Sequence, residues 1–280
     1  MKTAPVLQHG AGTPAIEFVH VSLSFGETQV LRDVSFRLDH GQMILVTGNS
    51  GSGKSVLLRL AIGLLQPDSG RIFIEGREIE KLGEEQLLVI RGGQMGLVFQ
   101  EDALFSGMST YDNTAYRLIE RGCPEDETDR AVMEILRFVG LEDAAEKIPE
   151  ELSGGMKRRL EIARALVGWP SIMLFDEPTS GLDPINAKHI LDLIIRARDL
   201  HGISSLCVTK QLHEIPYLAT HRAFQDATGT VHVRAQDTGP GPATRVLVLD
   251  QGTVAFVGAA GEFEQSSLPA VMQLTHPEKK

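Results

Sequence analysis

The stretch that decides the fold is MILVTGNSGSGKSVLLRLAIGLL, residues 43–65. Residues 43–47 form a short apolar run without alternation, which is typical of a strand covered on both faces in a parallel sheet. Residues 56–65 are apolar nearly all round, as in a buried helix. Between the two, residues 48–55 match the pattern GxxxxGK[ST], and a phosphate-binding loop joins such a strand to such a helix. A plain Gly/Ser-rich turn is the alternative interpretation.

The residue types of this loop suit the phosphates of a nucleotide. Its glycines permit backbone conformations and a close approach that a Cβ would prevent. Backbone N–H groups at the start of the following helix form an anion site. Lys54 is predicted to reach the β- and γ-phosphates, and the Ser55 hydroxyl to bind Mg²⁺. The loop residues predicted to contact the nucleotide are Gly48, Asn49, Ser50, Gly51, Ser52, Gly53, Lys54 and Ser55.

A second site signal is IMLFDE, residues 172–177, in which four apolar residues precede two carboxylates. We predict that Asp176 ends a buried strand and faces Mg²⁺ through water, which is the Walker B role. Glu177, one residue later, is placed to act as general base on the attacking water. An acidic loop after a core strand is the simpler alternative, which the upstream phosphate-binding loop disfavours.

Other segments extend the same architecture. Residues 16–25 and 30–38 alternate between apolar and polar side chains, as an antiparallel strand pair does. Residues 97–99 and 204–209 are further candidates for buried strands, residues 66–70 for a turn and residues 239–242 for a loop. A mostly helical block lies at about residues 101–168, with amphipathic helices predicted at residues 128–139 and 156–167. This alternation of buried strands and helices predicts a doubly wound α/β core.

One edge of the predicted sheet collects the candidate site residues. Ligands of open α/β sheets bind at the carboxyl ends of the strands. Each of four residues follows or ends a predicted buried strand, namely Gly48, Gln100, Asp176 and Lys210.

The composition excludes several classes of protein. The 280 residues carry 27 basic and 37 acidic side chains, and this net charge of −10 disfavours a nucleic-acid binder. Cys123 and Cys207 are far apart with no CxxC, which disfavours a disulfide framework or a thiolate zinc site. No stretch approaches the ~20 apolar residues of a membrane helix. The basic run KRR at residues 157–159 is interpreted as a solvated helix face.

LSGGM, residues 152–156, places a serine and two glycines at a predicted helix start. Here the chain resembles the ATP-binding cassette (ABC) ATPases, whose signature is LSGGQ, with Met156 in place of the glutamine. Phe25 matches the aromatic residue that stacks on adenine, and Gln100 matches the Q-loop glutamine. SGLD at residues 180–183 matches the D-loop. The resemblance covers roughly residues 16–262.

The resemblance implies a P-loop NTPase (RecA-like) core with an antiparallel β subdomain and a helical subdomain. It implies ATP hydrolysis with Mg²⁺ bound by Ser55, Gln100 and Asp176. In this family the signature completes the site of a second copy, so a homodimer is expected. Residues expected near the partner's ATP are Ser153, Gly154, Gly155 and Asp183. The catalytic residues would be Glu177, Lys210 and Gln100.

The predicted domain organisation follows from the same resemblance. Residues 1–14 are interpreted as a flexible tail and residues 15–262 as the ABC ATPase domain. The helical subdomain occupies about residues 101–168, and residues 263–280 are interpreted as a C-terminal tail.

Three segments are similar to one branch of the family, the ATPases of Mla/Mce-type lipid transporters. They are FQEDALFSGMSTYDN (residues 99–113), LSGGMKRR (residues 152–159) and FDEPTSGLDPI (residues 175–185). The similarity implies a separate integral membrane permease and an Mce-domain lipid-binding protein as partners. It implies transport of phospholipid or another hydrophobic substrate from a peripheral position on the cytoplasmic face of the inner membrane.

The chain departs from the ABC pattern at three places. Val56 stands where a threonine often follows the P-loop serine, which removes a hydroxyl near the α-phosphate but keeps the backbone N–H. Lys210 stands where a histidine usually contacts the γ-phosphate. Lysine can donate there but cannot accept a hydrogen bond. Three outcomes are open: the lysine lowers turnover, the substitution has no effect, or His213 contacts the γ-phosphate instead. About twenty residues, 224–243, are inserted in a late hairpin, and the alternation at 231–234 predicts an edge strand. We interpret this insertion as a surface elaboration, with a partner-docking arm as the alternative.

The sequence therefore predicts the ATPase subunit of a membrane transporter. Two alternatives are a soluble ABC ATPase without a transport role and a nucleotide-binding regulator with low turnover. The single cassette and the negative charge disfavour the first, whereas Lys210 motivates the second.

Overall fold

The structure, a computed structural model, describes residues 12–100, 103–236 and 244–275. Most of the predicted N-terminal tail and a loop predicted at residues 239–242 lie outside these residues. The strands and helices follow one another as β1 (Ile16–Phe25), β2 (Thr28–Leu38), β3 (Met43–Thr47), α1 (Lys54–Ala61), β4 (Ser69–Ile74), β5 (Arg77–Glu78), α2 (Glu84–Gly93), β6 (Met95–Val98), α3 (Thr110–Glu120), α4 (Glu125–Val139), α5 (Gly154–Leu166), β7 (Ile172–Asp176), α6 (Pro184–His201), β8 (Ser204–Val208), α7 (Glu214–Thr220), β9 (His221–Gln225), β10 (Val231–Ala235), β11 (Thr244–Asp250), β12 (Thr253–Ala259), α8 (Ala260–Glu264) and α9 (Pro269–Thr275).

The central sheet has six strands in the order β12-β11-β3-β8-β7-β6. The five strands from β11 to β6 pair in parallel, and β12 pairs antiparallel with β11. The predicted buried strands are therefore neighbours, and their carboxyl ends lie at one edge of the sheet. The predicted α/β core is confirmed.

Alternate residues of β3 enter two different hydrophobic cores. Met43 and Leu45 pack with residues of α3, α4, α5 and α6 on one face of the sheet. Ile44 and Val46 pack with α1 and the antiparallel strands on the other face. Because both faces are covered, every residue of β3 is buried and no polar alternation remains in its sequence.

A four-stranded antiparallel sheet, β2-β1-β4-β5, covers α1. The predicted strand at residues 16–25 has the observed bounds, and its partner begins two residues earlier than predicted, at Thr28. Ser69 and Gly70 were expected in a turn but begin β4, because Ser69 pairs with Ser22 of β1. Helix α1 ends at Ala61, earlier than the apolar run that extends to Leu65.

The helical block between β6 and β7 contains α3, α4 and α5. The sequence predicts helices at residues 128–139 and 156–167, and both begin earlier than predicted. Helix α4 starts with three acidic residues, 125–127, which favour a helix N-terminus. Helix α5 starts where the Ser153 hydroxyl accepts a hydrogen bond from the N–H of Met156. Within the described ranges, no helix is both long and apolar enough to cross a membrane.

The predicted insertion contributes β10, which pairs antiparallel with β9 in a separate two-stranded sheet. Arg198 on α6 is fully buried and donates to the carbonyl oxygens of Leu218 and His221, each at 2.9 Å. These bonds hold the start of β9 against the main domain. The segment predicted as a C-terminal tail contains α9, whose Val271 is fully buried near β11 and β12.

Candidate active site

The loop between β3 and α1 carries the predicted phosphate-binding residues. Gly48, Gly51 and Gly53 have positive φ, at 148°, 79° and 99°. A Cβ at Gly48 would overlap the carbonyl oxygen of Leu249 on β11, so only glycine fits there. Because α1 begins directly after the loop, the loop lies at a helix N-terminus, where backbone N–H groups attract anions.

Lys54 is buried and folds back over this loop. Its Nζ donates to the carbonyl oxygens of Gly48 and Asn49, each at 2.8 Å, and to Ser52 Oγ at 3.4 Å. Burial lowers the pKa of Lys54, and the nearby charge of Lys210 lowers it further. The amine is therefore held at the loop by acceptors that phosphate oxygens can replace.

The three predicted magnesium ligands, Ser55, Gln100 and Asp176, line one cavity of about 170 Å³. In the part of the chain that the structure describes, Asp176 Oδ1 is buried without a hydrogen-bond partner. Burial raises the pKa of Asp176, a shift that a hydrogen bond with Ser55 opposes. Carboxylate, hydroxyl and amide oxygens are the ligands that Mg²⁺ accepts. The three residues therefore fit a magnesium ion, and the cavity that they line is large enough to hold one.

Glu177 and Lys210 are paired with each other. Lys210 Nζ lies 2.6 Å from Glu177 Oε1, and 44% of the Lys210 side chain is exposed whereas Glu177 is buried. Glu177 adopts a φ of 50°, which is strained for a residue with a side chain, and its N–H donates to the carbonyl oxygen of Val208 at 3.0 Å. The sequence predicts Lys210 at the γ-phosphate, but in this structure its ammonium neutralises the predicted base. His213, the alternative, is exposed at the N-cap of α7.

Glu214 was not predicted from the sequence as a site residue, yet it supports the loops that carry Glu177 and Lys210. Its carboxylate is buried and accepts hydrogen bonds from the hydroxyls of Thr209, at 2.7 Å, and Thr179. Thr209 precedes Lys210, and Thr179 follows Glu177 by two residues. Glu214 therefore ties together the two loops that carry the ion pair. In the sequence Glu214 is recognisable only as an acidic residue in the first turn of a short helix. Such residues are common, so this feature does not identify a site residue.

The signature and D-loop residues begin helices away from the magnesium cavity. Ser153 is the N-cap of α5, and Asp183 is the N-cap of α6, where it accepts from the N–H groups of Ile185 and Asn186. A Cβ at Gly155 would overlap the Asn186 side chain, so the two helix starts lie against each other. The described structure gives none of these residues a place in the lining of the magnesium cavity.

The basic run at residues 157–159 is not the solvated face that the sequence predicts. Arg158 is buried, pairs with Glu161 at 2.6 Å, and donates to the carbonyl oxygens of Phe99 and Gln100. The prediction is wrong for Arg158 because strand β6 ends against α5, and the two carbonyl groups that follow the strand accept hydrogen bonds from the Arg158 guanidinium. Through these bonds α5 holds the loop that carries Gln100.

Two other predicted contacts lie at the borders of the phosphate-binding loop. Phe25, the predicted adenine contact, ends β1 with 49% of its surface exposed. Val56 is partly buried on α1 and packs against the core that also contains Ile44 and Val46.

The arrangement of loop, carboxylates and signature is matched by a family model. The model is described as ABC transporter and covers residues 31–180. The chain belongs to the ABC transporter family. The matched range includes the phosphate-binding loop, the signature and the Asp176–Glu177 pair of this cassette.

Curated relatives extend the similarity over most of the cassette. The chain is 38% identical over 267 residues to the protein TRIGALACTOSYLDIACYLGLYCEROL 3, chloroplastic, of Arabidopsis thaliana. The match covers 92% of this chain and 72% of that protein. The chain is 37% identical over 245 residues to the methionine import ATP-binding protein MetN of Brucella abortus, covering 88% of this chain and 60% of that protein. The cassette thus spans less than two thirds of the length of this importer subunit.

Solved structures share the fold. The ATP-binding cassette MJ0796, described as a dimer in a post-hydrolysis state bound to ADP and Pi, gives a TM-score of 0.72 at 25% identity, covering 88% of this chain and 98% of that one. cbiO1 from Clostridium perfringens, part of the ABC transporter complex cbiONQ, gives a TM-score of 0.76 at 25% identity, covering 95% and 96%. These matches confirm the predicted P-loop NTPase fold and the assignment to the ABC ATPases. The roles of individual site residues and the domain boundaries stay predictions.

Proposed function

We propose that the chain is the ATP-hydrolysing subunit of a membrane transporter and acts as a homodimer. The observation that carries this proposal is the cavity at the carboxyl edge of the sheet. There the unpartnered oxygen of Asp176 lies with Ser55 and Gln100, next to the glycine loop and Lys54. A magnesium ion bound by these oxygens supplies positive charge to the phosphate oxygens during hydrolysis.

The residues of the chain divide the remaining tasks. The loop from Gly48 to Ser52 cradles the phosphates, while Lys54 exchanges its loop carbonyls for phosphate oxygens. Phe25 offers an exposed ring for the adenine. Glu177 accepts a proton from the attacking water once Lys210 has moved towards the γ-phosphate, because the ion pair with Lys210 occupies a carboxylate oxygen that the water needs.

The signature surface supports the homodimer. Ser153, Gly154 and Asp183 are exposed at the starts of α5 and α6. They lie outside the magnesium cavity of their own chain, so a second copy can use them to complete its nucleotide site. The dimeric form of MJ0796 is consistent with this arrangement.

A groove of about 510 Å³ supports a permease partner. Its walls come from α2, β6, α3 and α5, and its apolar side chains Leu88, Phe99 and Tyr116 are exposed. A short amphipathic helix of an integral membrane protein fits such a groove. With such a partner, the proposed position of the chain is peripheral, on the cytoplasmic face of the inner membrane.

The transported substrate is proposed to be phospholipid or another hydrophobic molecule, with an Mce-domain lipid-binding protein as a further partner. Support comes from the three segments that resemble Mla/Mce-type ATPases and from the Arabidopsis relative, which is named after a glycolipid. The methionine import relatives make methionine the second candidate substrate. The Glu177–Lys210 pair favours the low-turnover regulator as a second candidate function.

The substitution Glu177→Gln tests the hydrolytic proposal. It spares the phosphate-binding loop and the magnesium ligands but removes the base, so nucleotide affinity should persist while turnover falls by about a hundredfold or more. ATP should then trap a dimer detectable by size-exclusion chromatography. Hydrolysis at the parent rate by Glu177→Gln would contradict the assignment.

Co-purification from membranes tests the transporter proposal. Expression with the neighbouring genes should yield a membrane complex that contains two copies of this chain. Reconstituted in vesicles, the complex should move a fluorescent phospholipid in an ATP-dependent manner and leave labelled methionine untransported. The reverse preference would assign methionine, and a chain recovered only as a free monomer would contradict both assignments.

A further inference from the structure

A second cavity, of about 390 Å³, lies between the helical block and the core, away from the phosphate-binding loop. We call it the seam cavity. Its walls are the end of α4 with Arg137 and Phe138, Arg159 on α5, Arg196 on α6, and the inserted strand β10. Its volume is within the range of sites that hold small organic molecules.

The seam cavity is basic in a chain whose net charge is −10. Arg137, Arg159 and Arg196 all line it, and none of them forms a salt bridge within the residues that the structure describes. Asp192 is the carboxylate in its wall, and it already pairs with Lys188 at 2.9 Å. Glu142 lies near Arg159 and Asp192 near Arg196, but neither carboxylate forms an ion pair with these guanidinium groups in the described structure.

Two of the guanidinium groups are held in place and incompletely bonded. Arg159 Nη1 donates to the carbonyl oxygens of Val139 and Gly140, each at 3.0 Å. The Arg196 guanidinium lies over the Phe138 ring, 4.4 Å from its centroid. In the described structure the Nε atoms of Arg159 and Arg196 are both buried without a hydrogen-bond partner. Because protein atoms cover both Nε atoms, an anion in the cavity would bond to the other guanidinium N–H groups of these arginines.

Apolar side chains form part of the remaining wall, beside His189 and Asp192. Phe138, Leu193, Val231 and Val233 face the same cavity, and the two valines come from the inserted strand β10. A ligand that satisfies this wall has an apolar body as well as an anionic group. Inorganic phosphate alone would contact only the arginines.

We propose that the seam cavity binds a small organic anion, in which a phosphate or carboxylate group is attached to an apolar body. This site is separate from the ATPase site and goes beyond the proposed function. Because α4 and α5 form one wall and α6 and β10 the other, a bound ligand joins the helical block to the core. The insertion then has a role as part of a binding site.

The test uses the full chain with its ATPase site filled by a saturating non-hydrolysable ATP analogue and Mg²⁺, which occupies all three phosphate positions so that added anions do not bind there. Naphthyl phosphate and naphthoate are titrated by fluorescence, with naphthol as the neutral analogue and inorganic phosphate as the bare anion. Both aromatic anions, or one of them, should bind, and added salt should weaken binding. The two probes distinguish a phosphate ligand from a carboxylate ligand. Naphthol and inorganic phosphate should bind at least about tenfold more weakly.

The variants Arg137→Gln and Arg196→Gln should each weaken binding of the preferred probe by about tenfold. Arg130→Gln is the matched control, since Arg130 is exposed on the same helix as Arg137 but does not line the seam cavity. Unchanged affinity in the Arg137→Gln and Arg196→Gln variants, equal loss in Arg130→Gln, or equal binding of naphthol would overturn the proposal. Arg137 is exposed, so its variant remains informative if Arg196→Gln fails to fold.

Discussion

Lys210 and Asp176 place two unusual charges beside the phosphate-binding loop. Lys210 pairs with the predicted base, Glu177, at 2.6 Å. Asp176 keeps one buried oxygen without a partner. The proposed hydrolysis therefore requires Lys210 to leave Glu177, and Mg²⁺ would supply the partner that the Asp176 oxygen lacks.

Substitution of Lys210 should change the hydrolysis rate in both directions. Lys210→His should raise turnover, because an imidazole can donate to phosphate and accept from a partner without holding Glu177 as a salt bridge. Lys210→Ala should lower turnover below that of the parent by about tenfold, because the donor is lost. Steady-state phosphate release measures both. Unchanged turnover in Lys210→Ala, together with its loss in His213→Ala, would transfer the role to His213.

Asp176→Asn should stabilise the fold without Mg²⁺ while it weakens Mg²⁺-dependent ATP binding. Burial raises the pKa of Asp176 above the ordinary 3.8. The stability that protonated Asp176 contributes is therefore fully present below the pKa of the unfolded state. It is lost as the pH rises through the higher pKa of the folded state. At pH 7 with EDTA the Tm of Asp176→Asn should exceed that of the parent by about 2 °C. Thermal melts across pH should show this difference narrowing towards pH 4, and a lower Tm at pH 7 would contradict it.

At the scale of elements, the phosphate-binding loop depends on the strand beside it. Gly48 lies against the carbonyl oxygen of Leu249 on β11, so the loop is shaped by β11, which lies about two hundred residues later in the chain. Gly51 has a positive φ but no neighbour near its missing Cβ. Both glycines therefore have a backbone conformation that disfavours a side chain, but only at Gly48 would an added Cβ also overlap neighbouring atoms.

Gly48→Ala should lower the free energy of unfolding by about 3 kcal/mol, since the added methyl group overlaps backbone atoms. Gly51→Ala is the matched control and should cost about 1 kcal/mol, from backbone strain alone. Urea denaturation monitored by circular dichroism measures both. Equal costs for the two substitutions would show that packing against β11 is unimportant.

At the scale of the whole molecule, the cassette is built as part of an assembly. The signature surface lies outside its own magnesium cavity, and the groove beside α2 and α3 exposes apolar side chains. Both features suit the proposed partners, a second copy for the first and a membrane protein for the second. The proposed dimer can be tested with the purified chain.

Two inactive variants should restore hydrolysis when they are mixed. Lys54→Ala removes the phosphate contact, and Ser153→Arg blocks the signature, so each homodimer has two defective sites. A heterodimer has one site with both parts intact. Random pairing then gives about a quarter of the parent rate, if the two sites act independently. No recovery on mixing, with both variants folded and dimeric, would contradict the shared site.

Sequence alone determined the core and the position of the site. The apolar run of β3, the glycine pattern at residues 48–55 and the IMLFDE segment each encode a local structure, because strand burial and positive φ restrict residue type directly. The order of these segments sufficed for the parallel sheet and for the meeting of Ser55, Gln100 and Asp176 at one edge. The family resemblance came from a further segment, LSGGM at residues 152–156, together with Phe25, Gln100 and the SGLD segment.

Only the tertiary structure decided which side chains pair. Lys210 meets Glu177 across 33 positions of sequence, and Arg158 is buried because β6 ends against α5. The inserted strand lies beside α6 and lines the seam cavity, which its own alternation does not reveal. The same local sequence is compatible with a charged side chain that is solvated, paired or buried. Which of these occurs depends on the groups that distant segments bring within about 4 Å, because those neighbours set both the Coulomb attraction and the cost of desolvation.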